Sequence, residues 1–339
     1  MRVSVIGGGG WGLALAKLLS ENQHSVLVWE FNSRYLKTLR ETHSNPSLLP
    51  SIQLPVDIGF TGSFDDISDF KPEVVILSTP CQFLRSTLKS IGAAAWDGIW
   101  LGPQLMAVVN VAKGIEEPSL LTMSEVLNQI LPARTHKLIC ALSGPSHAEE
   151  VARRIPTTVV VAGKEDSLLL KIQQAFSNEY FRVYRTTDLI GVEFGGAVKN
   201  IIAIAAGMIA GLGFGDNTIG ALLTRGLVEI QRLGVACGAR EDTFLGLSGI
   251  GDLITTATSK HSRNRYVGFE IGSGRKLQDV IAEMEMVAEG AVTTRSVYRL
   301  ALQKEIEMPI VTQVYKILYE EKDPRQAIID LMTRELKAE

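Results

Sequence analysis

Apolar and polar positions alternate along the first half of this chain in two distinct rhythms. Short runs rich in Val, Ile and Leu predict strands at Arg2–Ile6, Ser25–Glu30, Val74–Ser78, Met106–Val111, Leu138–Leu142 and Thr157–Ala162. Between them the apolar positions recur at helical spacing, predicting helices over Gly12–Asn22, Ser33–Thr42, Phe83–Ala94, Ser119–Leu131 and Ser146–Arg153. Several strand candidates are apolar at every position, as expected of strands covered on both faces. Repeated alternation of strand and helix predicts an α/β fold with a doubly wound, mostly parallel sheet.

The rhythm changes near Thr186–Asp188. From Leu189 onward helical periodicity dominates and no convincing strand follows, which divides the chain into an α/β domain over residues 1–187 and an all-helical domain over 188–339. No Pro/Gly/Ser-rich linker marks the boundary. The longest apolar stretch, Ile201–Gly215, falls short of the roughly 20 residues of a membrane span and reads as a buried core helix. The C-terminal segment Asp323–Glu339 reads as an ordinary amphipathic helix.

Composition narrows the function classes. With 339 residues and 46% hydrophobic, the chain has material for two cored domains. A formal net charge of -3 lacks the basic excess of a nucleic-acid binder, and it obliges any anionic substrate to be held by a local basic site. Cys81, Cys140 and Cys237 lie far apart, with no CxxC pair and no Cys/His spacing suited to a metal, so they read as small buried hydrophobes in a reducing, cytoplasmic compartment. Met1-Arg2 runs directly into the first strand candidate, so no cleaved leader is expected.

The first turn carries chemistry. In RVSVIGGGGWGLALAKLL, Gly7, Gly9 and Gly12 match G-x-G-x-x-G between a strand and a helix. Gly7 permits the tight turn, Gly9 leaves room for a pyrophosphate, and Gly12 lets helix and strand approach. The helix N-terminus then presents N–H groups and partial positive charge to that pyrophosphate. The second strand closes on Glu30, twenty-three residues after Gly7, the place of the acid that accepts from the ribose hydroxyls. A carboxylate there repels a 2′-phosphate, and Phe31 follows where an NADP enzyme tends to carry Arg. NAD(H) is therefore the expected cofactor of this Rossmann-type domain, with NADP(H) left open.

Four further segments place polar groups where packing does not need them. In VNVAKG an apolar strand ends in Lys113, aimed at the crevice where such sheets bind ligands. In LSGPSHAEE, Gly144 allows close backbone approach and Ser146 is positioned to cap a helix. In VEFGGAVKN a helix apolar on nearly all sides holds Lys199 and Asn200. An unpaired ammonium there is expensive, and desolvation lowers a lysine toward the working range of a general acid/base. In GLSGIGD three glycines lead to Asp252, a candidate cap for the next helix, and ten residues on Ser262-Arg263-Asn264 combines an N-cap with basic residues as an anion site.

Taken in order, GGGGWGLALA, VAKGIE, LSGPSHAEEV, GGAVKNIIAIAAG, LSGIGDL, SRNRYVG and VAEG span essentially the whole chain. With these motifs the sequence resembles the bacterial-type NAD(P)-dependent sn-glycerol-3-phosphate dehydrogenases. The resemblance implies reversible reduction of dihydroxyacetone phosphate to sn-glycerol 3-phosphate for phospholipid synthesis, by a cytoplasmic homodimer. It implies that Lys199 is the proton donor and acceptor and that Lys113 lies near both cofactor and substrate. It assigns Gly144, Ser146, Asp252, Ser262, Arg263 and Asn264 to the substrate, and Gly10, Trp11, Ala148, Arg263, Val287 and Glu289 to the cofactor. Two positions depart from the family pattern. Gly10 replaces the Ser or Ala common before the Trp, and Glu30-Phe31 stands where relatives often have a small residue and Arg.

Two other readings remain open on the residues alone. A different β-hydroxyacid or ketopantoate-type dehydrogenase also joins such domains and bears a helix-borne lysine, but has less need of an anion holder at Ser262-Arg263-Asn264. A non-catalytic NAD-sensing regulator has no need of the proton donor Lys199.

Overall fold

The computed structural model describes residues 1–284, 288–336 and 338. Two compact units emerge, one formed by Met1–Lys113 and Thr122–Glu193, the other by Gly114–Leu121 and Phe194–Glu339.

The first unit is built on eight strands: β1 (Arg2–Ile6), β2 (Ser25–Trp29), β3 (Gly59–Thr61), β4 (Val74–Leu77), β5 (Ala107–Asn110), β6 (Ile139–Ser143), β7 (Thr157–Gly163) and β8 (Phe181–Thr186). They form one sheet in the order β3-β2-β1-β4-β5-β6-β7-β8. All neighbours are parallel except β6 and β7. Its helices are α1 (Gly10–Glu21), α2 (Ser33–Thr42), α3 (Phe64–Phe70), α4 (Cys81–Lys89), α5 (Ala93–Trp100), α6 (Met123–Ile130), α7 (Ala148–Ala152) and α8 (Asp166–Phe176). Chain order reverses between β1 and β4, and in open α/β sheets the ligand crevice lies at such a switch point. Val3, Val5, Val28, Val74 and Ile76 are at most 1% exposed along these central strands, which accounts for their unbroken apolar runs.

Several expectations are corrected in this unit. Strands β3 and β8 go beyond the six expected. The helix expected over Phe83–Ala94 is two helices, broken at Ser90–Gly92 with Gly92 as the second N-cap. Ser146 does not cap α7. The cap position is His147, and the Ser146 hydroxyl donates instead to the Gly144 carbonyl at 3.1 Å. Among the cysteines, Cys81 and Cys140 are buried, whereas Cys237 is only half-buried.

The second unit is helical: it contains most of α9 (Leu189–Gly211), then α10 (Asp216–Ala236), α11 (Asp252–Thr258), α12 (Arg263–Gly272), α13 (Leu277–Ala282), α14 (Glu289–Gln303), α15 (Pro309–Tyr319) and α16 (Pro324–Met332). Helix α9 starts where the Asp188 carboxylate accepts from the Gly191 N–H at 3.0 Å. With 23 residues it is longer than the apolar stretch suggested, and by length and composition alone it matches a membrane span; 94% of its apolar window is buried inside the protein. Glycines set its packing against α12. A Cβ on Gly207 would stand 2.0 Å from the Arg265 carbonyl oxygen, and one on Gly268 1.9 Å from that of Ile204. Gly211 and Gly272 repeat the pattern four residues on, so the two backbones lie closer than any side chain allows. The C-terminal helix is shorter than expected, Pro324–Met332, capped by the Asp323 carboxylate on the Gln326 N–H.

Candidate active site

In the first unit the glycine turn is built for close approach. Gly7 has φ +113°, and a Cβ there would press to 2.8 Å on the backbone of Ser78 at the end of β4. A Cβ on Gly12 would stand 2.1 Å from the Gly7 carbonyl, so glycine is what lets α1 begin against β1. Gly9, by contrast, opens on space, with nothing within 4 Å of a Cβ. Gly9 is also the N-cap of α1 and supplies no side-chain cap to the first N–H groups of that helix. An anionic diphosphate fits this cradle by both shape and charge.

Glu30 points into the protein rather than into solvent. The residue is 5% exposed, its Oε1 accepts from the Asn32 N–H at 2.7 Å, and its carboxylate also takes the N–H groups of Gly8 and Phe31. Burial pushes this carboxyl above the usual range, while those N–H groups pull it back down. Phe31 is 80% exposed. Gly10 has a local reason to be glycine: a Cβ would meet the Leu48 carbonyl oxygen at 2.6 Å and the Ala148 Cβ at 3.9 Å. The fold thus brings Gly10 beside Ala148, two residues far apart in sequence. Trp11 packs partly buried against the core of the first unit.

A second cluster forms beyond β5. The Asn110 side chain turns the chain by donating to the Ala112 carbonyl at 2.9 Å. Lys113 then donates from Nζ to the Gly144 carbonyl at 3.1 Å, the same oxygen that accepts from Ser146. Gly144 itself has φ +135° and packs on β7, where a Cβ would lie 3.0 Å from the Val159 Cα. Lys113, Gly144 and Ser146 are therefore one constellation.

In the second unit the Lys199 and Asp252 side chains are 6% and 3% exposed and paired at 2.9 Å. Thr256 completes a triangle, 2.5 Å from the Lys199 Nζ and donating to Asp252 Oδ1 at 3.1 Å. Asp252 is the first residue of α11 rather than its cap, which is Gly251, and its carboxylate is spent on Lys199 and Thr256. A π-helical turn over Leu247–Gly251 delivers it, with Gly249 held at non-helical φ -91° and ψ -107°. Thr256 was not singled out from the sequence; its signal is the i, i+4 spacing from Asp252, which puts both on one helix face.

Ser262, Arg263 and Asn264 also lie within this unit. Ser262 caps α12, its Oγ accepting from the Arg265 N–H at 3.1 Å, and Arg263 stands exposed at the first helical position. Asn264, 9% exposed, accepts at Oδ1 from the Gly290 N–H at 3.0 Å, which brings the N-termini of α12 and α14 together. Glu289 opens α14. Val287 lies outside the described residues.

Known proteins agree with this architecture along its length. Residues 2–169 match the NAD-dependent glycerol-3-phosphate dehydrogenase N-terminus and residues 188–329 match the C-terminus of the same family. Glycerol-3-phosphate dehydrogenase of Syntrophotalea carbinolica, named for use of NAD(P)+, is 46% identical over 100% of this chain and 99% of its own. That of Geobacter sp. is 45% identical over 100% of this chain and 98% of its own. The crystal structure of glycerol-3-phosphate dehydrogenase from Coxiella burnetii superposes with a TM-score of 0.91 at 31% identity, covering 98% of this chain and 99% of that one. From sequence motif to strand order, the chain belongs to the NAD-dependent glycerol-3-phosphate dehydrogenase family.

Proposed function

We propose that this chain interconverts dihydroxyacetone phosphate and sn-glycerol 3-phosphate, using NAD(H) in preference to NADP(H), and so supplies glycerol 3-phosphate for phospholipid synthesis. The observation that carries the reading is the ammonium of Lys199, held by Asp252 and Thr256 inside an apolar helix. A buried charge of this kind is costly and needs a purpose.

When bound, the nicotinamide supplies a hydride to the carbonyl carbon. Lys199 gives its Nζ proton to the carbonyl oxygen as that oxygen gains charge, and takes it back in the oxidation direction. Asp252 and Thr256 hold the ammonium in place. Lys113 stabilises the same developing oxyanion. The N-terminus of α12, with Ser262, Arg263 and Asn264, holds the phosphate, whose binding energy positions the carbonyl. Gly7, Gly9, Gly10, Gly12, Trp11 and Ala148 hold the dinucleotide. Dinucleotide binding is assigned to residues 1–187 and proton transfer to residues 188–339.

NAD preference rests on Glu30. Its negative charge beside the glycine turn disfavours a 2′-phosphate. The family resemblance supports a cytoplasmic homodimer, a stoichiometry that sedimentation of the purified protein measures directly.

NADH oxidation tests the reading. Turnover is expected with dihydroxyacetone phosphate and not with unphosphorylated dihydroxyacetone. Turnover with ketopantoate alone favours the rival dehydrogenase, and NADH binding without turnover of any of these favours a sensor.

A further inference from the structure

Helix α9 carries Lys199, and its second turn carries a second charged residue, Glu193, that proton transfer does not use. Both oxygens of Glu193 are held by one residue. The Ser124 N–H donates to Oε1 at 2.7 Å and the Ser124 hydroxyl to Oε2 at 2.5 Å. The Thr122 hydroxyl is a further hydrogen-bond partner of the same carboxylate.

These contacts fall where the chain changes unit. Thr122 is the first residue back in the first unit after the excursion Gly114–Leu121, and Glu193 is the last residue before the chain leaves it again. Thr122 is also the N-cap of α6, with a capping box in which the Thr122 N–H donates to Glu125 at 2.8 Å. Ser124 is the second helical residue. Glu193 therefore satisfies from α9 an N–H group that α6 leaves open, at the positive end of α6.

The arrangement is not free of cost. Burial of the Glu193 carboxylate pushes it up to about 7 and neighbouring Glu125 adds to the rise, while the Ser124 and Thr122 bonds oppose it. A carboxylate retained against burial and a like charge is doing more than filling space, since Leu or Met fills space without that cost. Helix geometry says what it fixes. Lys199 lies six residues on along the same helix, about 9 Å along the axis and about 1.7 turns around it, so pinning Glu193 holds the first turns of the helix that carries the ammonium.

We propose that Glu193 is a positioning residue for Lys199, acting through its bidentate hold on Ser124. The proposal rests on the proton-transfer role of Lys199. It predicts a change in the chemical step without a change in substrate recognition. A misplacement of about 1 Å at a reacting group is worth up to about 100-fold in rate.

The test compares Glu193→Ala, Glu193→Gln, Ser124→Ala and Lys199→Ala in steady-state turnover, with thermal unfolding alongside. Glu193→Ala is expected to lower kcat by at least about tenfold, to leave both KM values within about twofold, and to raise the solvent deuterium isotope effect on kcat as proton transfer becomes limiting. Glu193→Gln restores most of kcat, because a Gln amide accepts from the Ser124 N–H at one end and donates to its hydroxyl at the other. Ser124→Ala gives a smaller loss of the same kind, and serves in place of Glu193→Ala if that variant does not fold. An unchanged kcat and isotope effect in folded Glu193→Ala, or in Ser124→Ala where that variant stands in, overturns the proposal. So does a loss confined to KM, or failure of Gln to restore the rate. Should Lys199→Ala itself keep turnover, the underlying assignment of Lys199 falls first, whatever the Glu193 variants do.

Discussion

Gly195 rests on Ser248: a Cβ on Gly195 would stand 2.5 Å from the Ser248 carbonyl oxygen. Four residues beyond each of them stand Lys199 and Asp252, the paired charges. The close approach of α9 to the π-turn at Gly195 is what allows the pair to meet one turn later. Gly195→Ala forces the two segments apart, and overpacking of this kind costs about 1–3 kcal/mol of stability. Activity is expected to fall further than stability, by about tenfold or more in kcat at temperatures where the variant remains folded. Unfolding curves and turnover measured on the same preparation check this; wild-type kcat in a destabilised but folded variant removes the link.

Lys199 and Asp252 are expected to depend on each other. Asp252→Ala removes the carboxylate that pairs with the Lys199 ammonium, and breaking a buried pair on one side costs about 3–5 kcal/mol. Replacing both, Lys199→Met with Asp252→Leu, should recover much of that stability, since no buried charge remains. All of these variants should lose kcat by orders of magnitude and keep NADH binding nearly intact, as read by fluorescence titration. A double variant less stable than Asp252→Ala contradicts this account of the pair.

Much of this was legible because its physics is local. The glycine turn shows itself through spacing between a strand and a helix, and Lys199 through a charge in an otherwise apolar helix. What escaped depended on the fold. Strand β3 is three residues long, too short to show a period. Strand β8 does alternate, but Arg182 and Arg185 make it read as a connection. As an edge strand it tolerates them, and α8 covers its open side, Gln173 donating to the Val183 carbonyl and Ser177 accepting from the Val183 N–H. The reversal of β7 follows from a connection whose helix, α7, has only five residues, short for a parallel crossover. Thr256 shows in sequence only as the i, i+4 neighbour of Asp252 and Glu193 only as a second charge in the apolar run of α9; what each holds depends on the fold, which supplies Lys199 and Ser124.

Glu30 offers a test of cofactor choice that keeps the glycine turn intact. Glu30→Gln retains an acceptor for the Asn32 N–H and removes the negative charge. The ratio of kcat/KM for NADPH over NADH is expected to rise by about tenfold, equivalent to about 1.4 kcal/mol. Because burial raises the carboxyl, the same discrimination should weaken as pH falls toward that raised value and the charge is lost. A native enzyme that prefers NADPH, or a variant with an unchanged ratio, removes Glu30 from cofactor selection.

Glu229 makes stability depend on pH in a direction opposite to that of most carboxylates. From α10 it caps α15, its oxygens accepting from the Ile310 and Val311 N–H groups at 2.7 and 3.2 Å, where the N-cap residue Met308 has no side chain able to do so. The residue is 4% exposed, and burial pushes its carboxyl from 4.5 up to about 7, against the pull of those N–H groups and of Arg232 and Arg334. The folded state therefore holds a proton that the unfolded state has released between these values. Stability from this group is full below about 4.5 and is lost as pH rises through about 7. The upper bound is about 3 kcal/mol, at about 1.4 kcal/mol per pKa unit. Unfolding temperatures of the native protein are expected to fall from about pH 5 to about pH 8. In Glu229→Gln the amide oxygen still accepts one N–H but no proton is exchanged, so the slope should flatten while stability at low pH drops by about 1 kcal/mol for the weaker cap. An equal slope in the variant assigns the pH dependence to other groups.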